Sequence, residues 1–382
     1  MAHASAVDWA VVALVVGARL VVPLLIGRFP LPAILASLVV DGIDKSVLQA
    51  FTHVDLTDYQ SYDKALDVYY LAITYLAVLR NWRDRFSVLV VAGLWYYRLV
   101  GVLLFELTGA RWLLLVFPNT FEYVVIAIEA VRTRWDARRM SRSAVLWLTA
   151  VVWVVVKLPQ EWWIHVAQLD FTDELKARVL GVDPDEGWAA GFAHRPWVAV
   201  LLVAAVVVVA LAIRWAWPRL PAADWPFTVD ADRVARRTDA SAGGVVAAPP
   251  SVVLGWRAVV EKVVLAGLLT TILVSSYPRV DARWWAVGVV VAGTVLVHAA
   301  VLAWRLRTGR PGPRGIVGQL AVNTAISLVA MAVLAALVSG HRVTGVALAD
   351  AVLFAYVVAL VTTLYDRWAP VQAAVARGWS RV

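Results

Sequence analysis

Runs of about twenty apolar residues recur along the chain, separated by short polar segments, and none shows the every-second-residue alternation of membrane β-strands. Val198 to Ala216 and Trp284 to Trp304 are clear cases. A helix of about that length crosses the hydrocarbon of a bilayer, so the pattern predicts an all-α, polytopic transmembrane helical bundle. About ten spanning helices fall near 7–27, 64–80, 86–107, 110–131, 143–159, 197–217, 256–276, 284–305, 316–338 and 350–367. Leu31 to Val40 is too short to cross and runs into Asp41, Asp44 and Lys45, so 31–51 is expected to be an outer interfacial or re-entrant helix. The first run lacks a basic leader and a small-residue cleavage site and contains Arg19, so it reads as a retained helix.

The polar segments carry sidedness. Arg80, Arg83 and Arg85, then Arg132 to Arg142, then Arg233, Arg236 and Arg237, then Arg305 to Arg314 occupy every second connection. The positive-inside bias puts these in the cytoplasm and predicts both termini there. The acid-rich connections, Asp41 to Asp63 and Asp170 to Glu186, face outward. Tryptophans flank the spans at both interfaces, such as Trp162, Trp163, Trp284, Trp82, Trp135 and Trp256. Residues 218–255, rich in Ala, Pro, Asp and Arg, read as a cytoplasmic linker between a six-span unit (1–217) and a four-span unit with a short tail (256–382).

Composition agrees: 62% of the 382 residues are hydrophobic and 16% charged. The net charge of +8 follows from the cytoplasmic arginines and does not point to nucleic acid. There are no cysteines, which excludes disulfides and thiolate chemistry. The preference for Arg over Lys, with the Ala/Val bias, suggests a GC-rich bacterial genome and a multi-pass protein of the bacterial plasma membrane.

Charge within a bilayer is costly and marks candidate sites. At 1.5 Å of rise per residue, Arg19, Asp67, Arg98, Glu122 and Lys157 lie roughly 14–21 Å from the cytoplasmic ends of five consecutive spans. Pairing such as Arg98 with Glu122 would neutralise part of this layer. Asp63, Asp67, Tyr70 and Thr74 share one helix face; Asn119, Glu122 and Glu129 share another, after Pro118; Lys157, Gln160, Glu161 and His165 follow a third, where Pro159 should kink the helix. The last four spans carry few deep polar groups, chiefly His298, Gln319 and Asn323, and read as scaffold. These positions nominate Arg19, Asp67, Tyr70, Arg98, Asn119, Glu122, Lys157 and Glu161 as ligand-binding residues in an outward-opening cavity. The ligand would be polar or anionic-headed, a membrane lipid or lipid-linked molecule among the candidates, with the bases on its anionic part.

Asp41, Asp44, Asp63 and Asp67 form two spaced pairs of oxygen ligands that a divalent cation would suit. They partly resemble the paired-Asp motif of CDP-alcohol phosphotransferases. The Ala-Arg dipeptide and middle Gly of that motif are absent, however, and the pairs lie one residue too far apart. The acidic loop after the first span is also similar to that of polytopic glycosyltransferases with lipid-phosphate sugar donors, although Asp55 and Asp58 read as a solvated loop. Both resemblances imply a metal-dependent transferase at the outer face as the alternative, and a non-catalytic scaffold subunit is a third. The stretches Tyr62 to Tyr70, Phe117 to Tyr123 and Lys157 to Asp170 resemble actinobacterial multi-pass membrane proteins, a family of uncharacterised activity, over about the first 180 residues. No glycine-rich phosphate loop, Ser/His/Asp set or histidine metal motif is present in the sequence.

Overall fold

The computed structural model describes residues 5–53, 59–167, 169, 171–183, 186–241, 249–275, 283–310, 313, 315–339 and 348–378, and among these there is no strand. Ser5 opens the first helix, α1 (Ala6–Gly27), with a capping box: its hydroxyl accepts from the Asp8 amide at 3.1 Å while the Asp8 carboxylate accepts from its own amide at 2.7 Å. Pro23 tightens the last six residues into a 3-10 turn. The chain continues through α2 (Pro30–Phe51), α3 (Tyr59–Asn81), α4 (Arg85–Thr108), the short α5 (Trp112–Val116), α6 (Thr120–Arg132) and α7 (Arg142–Val166). Asp84 caps α4 by accepting from the Phe86 and Ser87 amides, and Gly109, at a φ of 69°, ends it in the left-handed conformation that only glycine adopts freely.

After two short outer helices, α8 (171–180) and α9 (Trp188–His194), come α10 (Pro196–Ala216), α11 (Ala231–Ser241), α12 (Trp256–Ser275), α13 (Trp284–Thr308), α14 (Gly315–Ser339) and α15 (Leu348–Gly378). Among the described residues nine helical stretches are long and apolar enough to span a bilayer. The all-α polytopic bundle is therefore the fold of this chain, and the chain is an integral membrane protein. α10 makes the point most sharply: nearly all of its Val and Leu side chains are exposed, which water would not tolerate and lipid does.

The helix at 31–51 differs from the sequence expectation. α2 runs 22 residues, about 33 Å, between the two ends of the bundle. At one end His53 lies 3.6 Å from Asp8; at the other, the Gly27 carbonyl accepts from Asn81 at 3.1 Å and the Arg28 carbonyl from Ala231 at 2.8 Å. α2 is thus antiparallel to α1 and α3 rather than interfacial or re-entrant. Its polar Asp41 and Asp44 lower its hydropathy because they turn inward to Arg19, not because the helix lies on a surface. α2 and α3 run the length of the bundle beside these nine stretches, so Ser5 and Gln372 fall at its opposite ends rather than on one side as expected. Gln372 near the C-terminus donates to the Leu79 and Trp82 carbonyls at the Arg-rich end, whereas Ser5 sits at the other.

One continuous core joins the early and late helices, including Tyr69, Tyr75, Trp95 and Phe121 from the former and Leu265, Leu269, Val358 and Leu364 from the latter. Part of the stretch read as a linker is docked. Asp232 pairs with Arg80 at 2.5 Å, Asp239 with Arg83 at 2.8 Å and Asp224 with Arg139 at 2.5 Å, so α11 and its approach cap the Arg-rich end. Beneath this cap Arg138 grips Asp136 at 2.6 Å.

Candidate functional site

Arg19, 3% exposed, comes from the middle of α1, and three aspartates close around it. Asp44 lies 2.5 Å from one guanidinium nitrogen and Asp67 2.8 Å from the other, which also binds Asp41. Asp41 and Asp44 are one turn apart on α2, and Asp67 faces them from α3. Asp44 is fully buried, while the Asp41 and Asp67 side chains remain 28% and 39% exposed. The three described carboxylates of the expected metal set therefore converge, but on a guanidinium. That cation takes the point a divalent ion would hold, and among the described residues no group of three or more metal-binding side chains is suitably placed. The Asp63 side chain lies outside the described residues.

The second half of the site begins one turn further along α3. The Tyr70 hydroxyl donates to Glu122, whose other oxygen accepts from the Asn119 side-chain amide at 2.8 Å. Asn119 lies where α5 gives way to α6. Pro118 cannot continue the hydrogen-bond ladder, so Phe117 to Asn119 leave the helix within the span. Two freed backbone groups find charged partners: Arg98 of α4 donates to the Phe117 carbonyl at 2.9 Å, and the Asn119 amide donates to Glu161 at 3.1 Å. Gly101 permits this packing, because a Cβ there would stand 2.1 Å from that of Phe117. The Asn119 side-chain oxygen and the Thr120 hydroxyl are buried with no protein partner.

Facing the break, α7 is irregular as well. Its turns widen to π-helix over Val152–Lys157 and Trp162–Val166, around Pro159. This winding brings Lys157 (3.3 Å) and His165 (3.0 Å) onto the two oxygens of Glu161. Lys157 also donates to Gln160 at 2.8 Å and stands 4.7 Å over the Tyr123 ring.

The eight expected ligand-binding residues fall in two neighbouring groups, one around Arg19 and one around Glu122 and Glu161, which meet where Asp67 and Tyr70 lie one turn apart on α3, with Arg98 held at the helix break. The proposed Arg98–Glu122 pair is not made. Arg98 has no ion-paired carboxylate among the described residues; its guanidinium donates to the Phe117 carbonyl, which the helix break leaves open. Arg19 and Lys157, offered above to an anionic ligand, already hold carboxylates.

A second buried polar set was missed. Lys262, 1% exposed, pairs with Asp366 at 2.7 Å, and Glu261 accepts from the Tyr75 and Tyr365 hydroxyls at 2.6 Å each. The late helices are therefore not free of deep charge. Glu261 and Lys262 lie about a turn and a half inside the span that begins at Trp256, a signal available in the sequence. His298 bonds Ser327 at 2.8 Å and Asn323 bonds Thr363 at 2.7 Å, both helix-to-helix bonds. Glu129 sits apart from the main network, accepting from Trp82 and Arg132 at 2.6 Å near the Arg-rich end. No protein-family model matches the chain, and no curated protein or solved structure is significantly similar to it.

Proposed function

We propose that this chain is a bacterial plasma-membrane transport protein that takes up a small cationic ligand at the outer edge of the Arg19–Glu122–Glu161 network. The single observation that carries the reading is the break between α5 and α6. An unwound stretch inside a span, facing a second irregular helix and surrounded by ionised side chains, is the arrangement by which transporters build binding sites at mid-membrane. Charge selects the ligand. Asp41, Asp44 and Asp67 gather on Arg19, and Glu161 lies beside Lys157 and His165, so carboxylates crowd the network. Its two most exposed carboxylates, Asp41 and Asp67, lie toward the outer end. A ligand entering there meets these two carboxylates first, which favours a cation over an anion.

One observation favours a second reading. Arg98 is the one base of this network without a carboxylate, so an anionic-headed or lipid-linked ligand would bind beside Phe117 and Asn119. The transferase reading loses support, since Arg19 fills the point shared by its aspartates.

Thermal unfolding of the full chain in detergent, with Na⁺, Mg²⁺, spermidine or phosphate added, separates these cases. A ligand at a hundred times its Kd stabilises by about 2.7 kcal/mol. The proposal expects a cation to raise the Tm of the parent protein and not of Asp67→Asn, and the same cation to accumulate in proteoliposomes. Stabilisation by phosphate alone, lost in Arg98→Gln, would establish the second reading. No shift with any additive would leave a closed structural network and a scaffold.

A further inference from the structure

We propose that the cytoplasmic half of the bundle holds a separate site for an anionic phospholipid of the inner leaflet, in the groove between α4, α12 and α15. The groove encloses about 430 Å³, within the roughly 300–1,000 Å³ of small-molecule sites. Val88 and Leu89 of α4, Val253 and Trp256 before and at the start of α12, and Ala369 of α15 give it apolar walls. Arg85 and Arg257, in the first turns of α4 and α12, stand at its mouth.

Three features select the occupant. Arg80, Arg83, Arg138 and Arg139 each hold an aspartate, but Arg85 and Arg257 have no carboxylate partner among the described residues. Two exposed guanidinium groups over one apolar slot match a phosphate joined to a hydrocarbon tail. The slot also opens sideways: Leu89 and Trp256 are 59% and 72% exposed on the surface that meets lipid, which admits an acyl chain from the bilayer. Glu261, the one acid on the lining, is turned to the core, where the Tyr75 and Tyr365 hydroxyls donate to it. Basic pockets between helices on the cytoplasmic side are suited to anionic headgroups. This site is distinct from the outer network and does not depend on the transport reading.

Native mass spectrometry of the full chain tests the proposal, with phosphatidylglycerol and phosphatidylcholine of identical chains. Phosphatidylglycerol should be retained preferentially. Each of Arg85→Gln and Arg257→Gln should weaken it about fivefold, and the double variant on the order of twentyfold, from the usual gain per basic residue near an anionic headgroup. Arg283→Gln, at the outer end, should change nothing. Ala369→Trp should block retention with both arginines intact. Because Arg85 and Arg257 are exposed, their variants fold whether or not the filled groove does. Equal retention of the two lipids, parent-like binding by the double arginine variant, or full displacement of the lipid by inorganic phosphate would each overturn the proposal.

Discussion

Replacing Arg19 by Met removes a cation that three aspartates share, and the structure sets how much that should cost. Asp41 and Asp67 are 28% and 39% exposed and can regain water, so their pairs with Arg19 are worth on the order of 1 kcal/mol or less each. Asp44 has no exposure and would lose the guanidinium it pairs with, which costs about 3–5 kcal/mol for a buried ion pair broken on one side. The Asp44 share dominates, so Arg19→Met should destabilise the protein by roughly 3–5 kcal/mol. Asp44→Asn in that background should recover most of the loss, with a coupling between the two sites of about 2–3 kcal/mol in a double-mutant cycle. Unfolding in mixed micelles, followed through the native tryptophans, measures all four corners. A loss below about 0.5 kcal/mol for Arg19→Met, or no recovery on adding Asp44→Asn, would refute the claim that this arginine neutralises the buried aspartate.

Other parts of the account are equally open to measurement. The absence of cysteines makes single-thiol labelling clean: Ser5→Cys should react with an impermeant reagent added outside and Ala223→Cys only from the cytoplasm, whereas two cytoplasmic termini would require Ser5→Cys to react from within. Lys262→Met should cost about 3–5 kcal/mol by stranding Asp366, and adding Asp366→Asn should restore most of it in the same unfolding assay. In the cap at the Arg-rich end, burial pushes the Asp136 carboxyl up, but hydrogen bonds from the Arg138 side chain and amide outweigh that and hold it below its ordinary 3.8. A lowered folded value means its stabilisation is present above about pH 4 and lost as pH falls through the folded value. Limited proteolysis near residue 223 should therefore quicken on acidification in the parent chain, with Asp136→Asn already fast and less sensitive to pH.

Most of the architecture was legible because long apolar runs report helices of spanning length directly. Residues 31–51 misled for a physical reason. Asp41 and Asp44 make α2 look too polar to cross, yet Arg19 on the neighbouring α1 offsets their charge, and hydropathy along one segment cannot register a partner on another. The same limit hid the cap: Asp224, Asp232 and Asp239 read as linker acids until their arginines, up to 156 residues away in sequence, are seen beside them. Shared depth did locate the network, since Arg19, Asp67, Arg98, Glu122 and Lys157 lie in it, and Pro118 and Pro159 marked where helices yield. Pairing within it was not legible. Which base meets which acid depends on rotation about each helix axis and on carbonyls freed by the break, as Arg98 illustrates.

The proposal stands or falls on whether the acidic edge of the network can be reached from outside. Asp67→Cys in intact cells, treated with an impermeant positively charged thiol reagent, tests this most directly. The account predicts rapid labelling from the outer side, faster than with a negatively charged reagent of equal size and slowed by whichever cation stabilises the parent protein. Labelling only from the cytoplasm, or none from either side in a folded variant, would contradict it.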